Sequence, residues 1–176
     1  MIRQTLPQIT FKTRVGDATL EEQGCAIGGE WLDVTTDDYF ANKKVVVFSL
    51  PGAFTPTCSS QQLPGFEELY NQFKENGIDE VYCISVNDSF VMNAWFQHLK
   101  VNNVKAIADG NGEFTKEMGM LIDMSAVGFN ARSKRYTMVV DNGNVIKQFI
   151  EPDSTSADPD PYGVSSPETC LEFLRE

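Results

Sequence analysis

The amino-acid sequence predicts an α/β protein with a mixed central sheet flanked by helices, built as a single domain over residues 1–176. Two observations predict the sheet: an early strand–helix–strand pattern, whose strands should run parallel, and a late hairpin, whose strands must run antiparallel. The third observation is size, because 176 residues lie within the usual range of one domain and can bury a core without disulfides or metal.

The strand–helix–strand pattern begins with two short β-branched and aromatic runs, residues 45–50 (VVVFSL) and 81–86 (VYCISV), whose length and composition are typical of buried strands. Between them, apolar residues recur at spacings of three and four over residues 63–73, which predicts a helix that packs on the sheet and stops at an Asn-Gly pair. A right-handed crossover of this length places the two strands parallel in one sheet.

The later elements follow from the same patterns. The sequence predicts a capped amphipathic helix at 91–99, a strand at 104–108, a short helix at 113–118, a hairpin over 136–150 that turns at 141–143, and a closing helix at 168–175. The acidic residues 151–162 (EPDSTSADPDPY), rich in Pro and Ser, predict a surface loop. This order is that of a thioredoxin-like core, although many α/β proteins share pieces of it.

Composition argues against two classes of partner. The chain carries 14 basic and 25 acidic residues, a net charge of −11, which repels phosphate backbones and anionic lipid surfaces. No stretch approaches the ~18 apolar residues of a membrane span, and no long apolar run follows Arg3 near the start. We therefore expect neither nucleic acid nor a membrane as partner, and a cytoplasmic location.

The chain has four cysteines, Cys25, Cys58, Cys83 and Cys170, and no two of them form a CxxC motif. Four cysteines in a chain of this length do not resemble the dense disulfide framework of a small secreted domain. Any cysteine in use is therefore expected to serve catalysis rather than structure.

Cys58 lies where local structure activates a thiol. It follows the first buried strand and a Pro-Gly turn, and it falls at the first turn of the helix that continues through residues 63–73. Unpaired backbone N–H groups and the positive end of the helix dipole favour thiolate over thiol, and the thiolate is the nucleophile. Thr55 offers a hydroxyl in the same turn, while Pro51 and Pro56 stiffen the backbone.

These neighbours suit attack on a peroxide. A thiolate aligned with an O–O bond drives negative charge onto the departing oxygen, and backbone N–H groups, the Thr55 hydroxyl and an arginine can stabilise that charge. The product at Cys58 would be a sulfenic acid. The competing interpretation is that Cys58 is a small buried hydrophobe, as most free cysteines are. The Pro-x-x-x-Thr-x-x-Cys spacing between a strand and a helix favours catalysis.

The segment PGAFTPTC, residues 51–58, resembles the active-site signature of peroxiredoxins, and its context is similar to the type II group, the peroxiredoxin-5 group. The similarity extends through residues 51–66, 83–95, 108–119 and 132–143, and so over nearly the whole chain. It implies a thioredoxin-like fold, reduction of hydrogen peroxide and alkyl hydroperoxides, no metal or organic cofactor, and often a homodimer.

The resemblance also assigns roles. It implies that Cys58 is the peroxidatic cysteine, Thr55 the peroxide-binding threonine, Pro51 the pocket proline and Arg135 the arginine of the site. Spacing alone does not choose Arg135, because Arg132 and Lys134 lie beside it near the predicted hairpin and any of the three could be a solvated surface charge.

The sequence leaves open how oxidised Cys58 is reduced back to the thiol. Cys83 matches a cysteine for which the plant-like members have a proposed resolving role, although a cysteine inside a central strand is usually inert packing. Packing is the preferred interpretation of Cys170, and a surface or packing role that of Cys25. The chain ends directly after its predicted last helix, so we expect the reductant to act in trans: glutaredoxin with glutathione first, thioredoxin second. His98, the only histidine, is expected at the surface.

Two other functions would use the same cysteine. A monothiol glutaredoxin-like protein would reduce glutathionylated substrates, although the residues after Cys58 lack the second cysteine of a redox pair. A peroxide sensor or holdase would turn over slowly and keep a stable oxidised form.

Overall fold

The computed structural model describes residues 4–18 and 27–176. In chain order the elements are β1 (Thr10–Ala18), β2 (Ile27–Thr35), α1 (Thr36–Phe40), β3 (Lys44–Ser49), a π-helix (Cys58–Gln62), α2 (Leu63–Glu68), α3 (Tyr70–Glu75), β4 (Glu80–Ser85), α4 (Ser89–His98), β5 (Lys105–Ala108), α5 (Glu113–Glu117), β6 (Leu121–Asp123), a 3₁₀-helix (Ser125–Val127), β7 (Ala131–Ser133), β8 (Tyr136–Asp141), β9 (Asn144–Ile150) and α6 (Pro167–Arg175).

The central sheet has five strands in the order β5-β4-β3-β8-β9. Strands β3, β4 and β5 run parallel, as the crossover requires, while β8 runs antiparallel to both β3 and β9. The predicted α/β class with a mixed central sheet is therefore confirmed, and the predicted hairpin forms the antiparallel part of the sheet. None of the helices described here is long and apolar enough to cross a membrane.

Helices cover the sheet on both faces because side chains alternate along each strand. On β3, Val46 and Phe48 belong to one buried cluster, which α2, α3, α4 and α6 complete, and which includes Cys58. Val45 and Val47 belong to the cluster on the other face, completed by α1, α5 and β1. The predicted reactive cysteine thus lies against a fully packed face of the sheet.

Two strand pairs were not predicted. Strand β1 pairs with β2, and β6 pairs with β7. Each pair forms a separate two-stranded sheet outside the central sheet. On β2, Trp31 is 55 % and Leu32 48 % exposed, so this strand carries no alternation of buried and solvated residues that a sequence pattern could reveal. Cys25 lies outside the described residues.

Helix boundaries agree with the prediction except at one point. Asp88 caps α4 through its side chain, which accepts a hydrogen bond from Val91 N, and the hairpin turns at residues 141–143 as predicted. The single helix predicted over residues 63–73 is divided at Leu69, where φ of −91° and ψ of 6° interrupt the regular turn. The loop at 151–162 is irregular and mostly exposed, as its composition predicts.

The packing of α2 on the sheet generates a stability prediction. Phe66 is fully buried and its ring stacks on Phe48 at 4.0 Å, with Phe73 at 5.6 Å. Phe66→Ala should lower the free energy of unfolding by about 3–5 kcal/mol, because it removes this contact and leaves a cavity. Denaturant unfolding followed by circular dichroism measures the change. In the control Val127→Ala, at a site 60 % exposed, the loss should stay below about 0.5 kcal/mol; equal losses would contradict the packing.

Candidate active site

Cys58 opens a π-helical turn directly after the loop that leaves β3. Helical backbone starts at Pro56, and the wider turn is closed by Leu63 N, which donates to the Cys58 carbonyl. Single π-turns of this kind are frequent at functional sites. The sulfur has no exposed surface and lies in the buried cluster on that face of the sheet. The predicted position at the first turn of the helix is therefore observed.

Arg135 is the cation that reaches the sulfur. Its Nη1 donates to Cys58 Sγ at 3.5 Å and also to Gln62 Oε1, and its Nη2 donates to Asp160 Oδ1 at 2.5 Å. Its side chain is only 3 % exposed. Arg135 comes immediately before β8, so the register of the central sheet carries it to the site from 77 residues away.

The other two cations considered from the sequence lie elsewhere. Arg132 donates from Nε to Phe129 O at 3.2 Å and from Nη1 to Pro51 O at 3.3 Å. Lys134 pairs with Asp153 at 2.7 Å, where the aspartate side chain is 82 % exposed. Among the three neighbouring cations, Arg135 is the one bonded to the cysteine.

Burial would by itself make the Arg135 guanidinium easier to deprotonate. The negative charge at Cys58 and the hydrogen bond to Asp160 outweigh burial, so the pKa of Arg135 is raised above its ordinary value. The side chain is a fixed positive charge beside the sulfur. Its Nε is buried without a hydrogen-bond partner in the described part of the chain, which leaves one donor free in the site.

The Thr55 hydroxyl is oriented by the loop. Its Oγ1 donates to Gly52 O at 2.7 Å, so the proton points into the loop and the lone pairs remain available to a donor. Thr55 is half-buried, and its carbonyl accepts from Ser59 N at 3.0 Å, which joins it to the start of the π-turn. Within the described residues Thr55 makes no hydrogen bond to Cys58 itself.

The active-site loop, residues 50–55 between β3 and the helical backbone that starts at Pro56, is fixed from two sides. Pro51 is buried, and the Arg132 guanidinium on its carbonyl passes so close to Gly52 that a Cβ there would lie 2.7 Å from Nη1. On the other side, Asn87 Oδ1 accepts from Ala53 N at 3.0 Å. Directly after these anchors Phe54 holds a φ of +60°, a strained value for a side-chain-bearing residue that a fixed loop can maintain.

The other described cysteines are buried free thiols. Cys83 lies in the middle of β4, in register with Phe48 of β3 and Ala106 of β5. Burial, and to a smaller extent the negative charge at Cys58, raises the pKa of Cys83 well above its usual range. Burial raises the pKa of Cys170, on α6, to about 12. A resolving role for Cys83 stays a prediction.

Sequence reasoning missed two residues that contact Arg135. Gln62 carried a signal, because it stands four residues after Cys58 and hence near it on a helix. Asp160 carried none, since it is one of several acidic residues in the loop at 151–162.

His98 is exposed, as predicted, and its ring lies 5.8 Å from that of Phe54. Among the described residues no group of three or more His, Cys, Asp or Glu side chains is arranged to hold a metal.

Known proteins are similar to this chain in fold and in sequence. The Redoxin family matches residues 9–164. A peroxiredoxin of Rhizobium etli is 50% identical over 176 residues, covering 99% of this chain and 96% of that protein. The Plasmodium falciparum antioxidant protein, a 1-Cys peroxiredoxin, superposes with a TM-score of 0.86 at 36% identity, with 98% of each chain covered. Reduced Prx3 of Vibrio vulnificus in complex with H₂O₂ gives 0.83 at 37% identity, covering 100% of this chain and 98% of that one.

The buried thiol, its arginine and these matches together define a thiol-dependent peroxidase with a thioredoxin-like fold. The chain belongs to the peroxiredoxin family, as its sequence signature predicted, and is an oxidoreductase that acts on peroxide.

The burial of Cys83 and Cys170 generates a labelling prediction. In folded Cys58→Ser protein at pH 8, both thiols should resist iodoacetamide, because each is buried and its raised pKa keeps it protonated. Peptide mass spectrometry locates the label, and the same protein in guanidinium serves as the fully reactive control. Labelling of Cys83 at equal rates in the folded and unfolded protein would contradict the burial.

Proposed function

We propose that the chain reduces hydrogen peroxide and alkyl hydroperoxides through a Cys58 thiolate that becomes sulfenic acid. An external thiol then reduces the sulfenic acid back to the thiol. Glutaredoxin with glutathione is the first candidate reductant, and thioredoxin is the second. The active form is a homodimer. The observation that carries the proposal is the buried contact of 3.5 Å between Arg135 Nη1 and Cys58 Sγ, which puts a permanent cation against the sulfur.

The chemical step is a displacement at oxygen. The sulfur lone pair of Cys58 forms an S–O bond to the terminal peroxide oxygen while the O–O bond breaks. The departing oxygen takes the electron pair and a proton from solvent, which replaces the one that the thiol released on ionising, and it leaves as water or an alcohol. Sulfur is oxidised by two electrons and the peroxide is reduced by two, so the products are the Cys58 sulfenic acid and the reduced oxygen compound.

The neighbours of the sulfur support this step. The Thr55 lone pairs can accept from the O–H of a hydroperoxide, because the hydroxyl proton is engaged by Gly52 O. The free Nε of Arg135 can donate to the oxygen that gains charge, in a site where a fixed dipole is effective because little water enters. Backbone N–H groups at the start of the helix add further donors. The reduced Vibrio vulnificus Prx3, solved with H₂O₂, supports this choice of substrate.

An external reductant is supported by the burial of the other thiols. Cys83 lies on β4, which pairs with β3 on one side and β5 on the other, and Cys170 lies on the buried face of α6 in the same cluster. Both thiols are buried and their raised pKa values favour the protonated form, which is a poor nucleophile toward a sulfenic acid at Cys58. The similarity to a 1-Cys peroxiredoxin of Plasmodium falciparum points in the same direction.

The first test is the rate at which peroxide oxidises Cys58. Cys58→Ser should abolish peroxide consumption, and Arg135→Met should slow Cys58 oxidation about 10²-fold, since it removes the charge and its donors but keeps the bulk of the buried stem. Rapid-quench alkylation with mass spectrometry gives the rate of Cys58 oxidation. Trp95 fluorescence follows the same reaction, because Trp95 Nε1 donates a hydrogen bond to Ser59 beside the site, and a Trp31→Phe background removes the signal of the other tryptophan. Undiminished peroxide consumption by Cys58→Ser would refute the proposal.

The second test concerns the reset. With glutaredoxin, glutathione and its reductase, turnover should be within about twofold of wild type in Cys83→Ser and in Cys170→Ser, because neither thiol takes part. NADPH oxidation measures turnover, and thioredoxin with its reductase gives the comparison. A Cys58–Cys83 disulfide in peroxide-treated wild type, together with lost turnover in Cys83→Ser, would instead make Cys83 the resolving cysteine.

A further inference from the structure

We propose that Asp160 is a positioning residue for the peroxidase reaction, acting through Arg135. The inference rests on the proposed function and adds to it a residue of the acidic loop, the name used here for residues 151–162. The feature behind it is the pair between Asp160 Oδ1 and Arg135 Nη2 at 2.5 Å, in which the arginine side chain is 3 % and the aspartate side chain 41 % exposed.

Hydrogen bonds join the two ends of the acidic loop beside Arg135. Glu151 is buried, and its Oε1 accepts from Gly163 N at 2.7 Å, from Ser165 N at 2.8 Å and from Ser165 Oγ at 2.7 Å, which ties the two ends of the loop together. The Glu151 N–H donates to the carbonyl of Arg135 itself at 3.0 Å. The loop that carries Asp160 therefore starts and returns within reach of the arginine that it contacts.

The guanidinium is held along three of its sides. Nη1 bonds Cys58 Sγ and Gln62 Oε1, Nη2 bonds Asp160, and the ring of Tyr162 lies 5.7 Å from Cζ. A planar fork held by both amino groups has a fixed plane, and Nε is its one nitrogen without a hydrogen-bond partner among the described residues. Asp160 thus supplies the contact that keeps Nη2 turned away from the sulfur while Nη1 faces it.

The acidic charge of Asp160 works against this benefit. A carboxylate near a thiolate weakens the positive potential that Arg135 creates at the sulfur, so its removal could in principle speed the reaction. Asp160 is two-fifths exposed, and water screens its charge at the more distant sulfur, whereas the directional bond to Nη2 is short and local. Positioning therefore outweighs repulsion, which sets the sign of the expected effect.

The acidic loop also contains its own control. Asp153 pairs with Lys134, the residue next to Arg135, at 2.7 Å, but its side chain is 82 % exposed and the pair lies at the surface. Asp153→Asn and Asp160→Asn remove the same charge from the same loop and from adjacent cations. Only the second should disturb the guanidinium at Cys58.

The experiment measures the second-order rate constant of Cys58 oxidation by hydrogen peroxide in the full-length protein at pH 7. Asp160→Asn should lower it about tenfold, because a guanidinium that can turn spends less time aligned with the sulfur. Asp160→Glu, which keeps the charge on a longer side chain, should recover most of the rate, and Asp153→Asn should stay within about twofold of wild type. A rate in Asp160→Asn equal to or above that of wild type would overturn the proposal.

A double-mutant cycle separates positioning from damage to the loop. In the Arg135→Met background, Asp160→Asn should change the residual rate by less than about twofold, because the residue through which Asp160 acts is gone. A tenfold loss that persists there would show a structural effect and overturn the inference. Arg135→Ala provides a second background if Arg135→Met does not fold. The proposed function fails separately, by an inactive wild type or an active Cys58→Ser.

Discussion

The contact between the Cys58 sulfur and the Arg135 guanidinium organises the site. Both groups are almost completely buried, and an isolated buried charge is costly, so the Arg135 guanidinium depends on partners such as the Cys58 sulfur and Asp160. The low exposure that makes the pair costly to assemble also strengthens the field acting on a peroxide. The same contact puts a permanent cation and a fixed hydrogen-bond donor beside the sulfur.

The fold brings these two residues together through strand register. Ser49 at the end of β3 pairs with Tyr136 at the start of β8, so the residues that follow β3 and precede β8 meet at one edge of the sheet. From this edge the chain turns through the active-site loop into the π-turn that starts at Cys58. A slip of one residue between β3 and β8 would send the Arg135 side chain to the opposite face.

The surrounding residues hold a strained and charged arrangement in place. Asn87 and Arg132 fix the backbone of the active-site loop, and Gln62 links the guanidinium to the sheet, because its Nε2 donates to Ser49 O at 3.2 Å. The acidic loop adds Asp160 from outside the thioredoxin-like core. Strand ends and surface loops thus supply the side chains that hold the active-site loop and the guanidinium, while the packed core keeps Cys58 in place.

The sequence by itself determined the fold class and singled out Cys58 as the candidate nucleophile, because strand composition, helix spacing and the segment PGAFTPTC are local patterns. The family resemblance, and not the spacing, selected Arg135 from the three neighbouring cations. Only the tertiary structure shows that its guanidinium contacts the sulfur, since that depends on the pairing of β8 with β3. It alone revealed Asp160, because nothing in an acidic surface loop tells which carboxylate folds back. A contact between residues far apart in the chain leaves no periodic trace in the sequence.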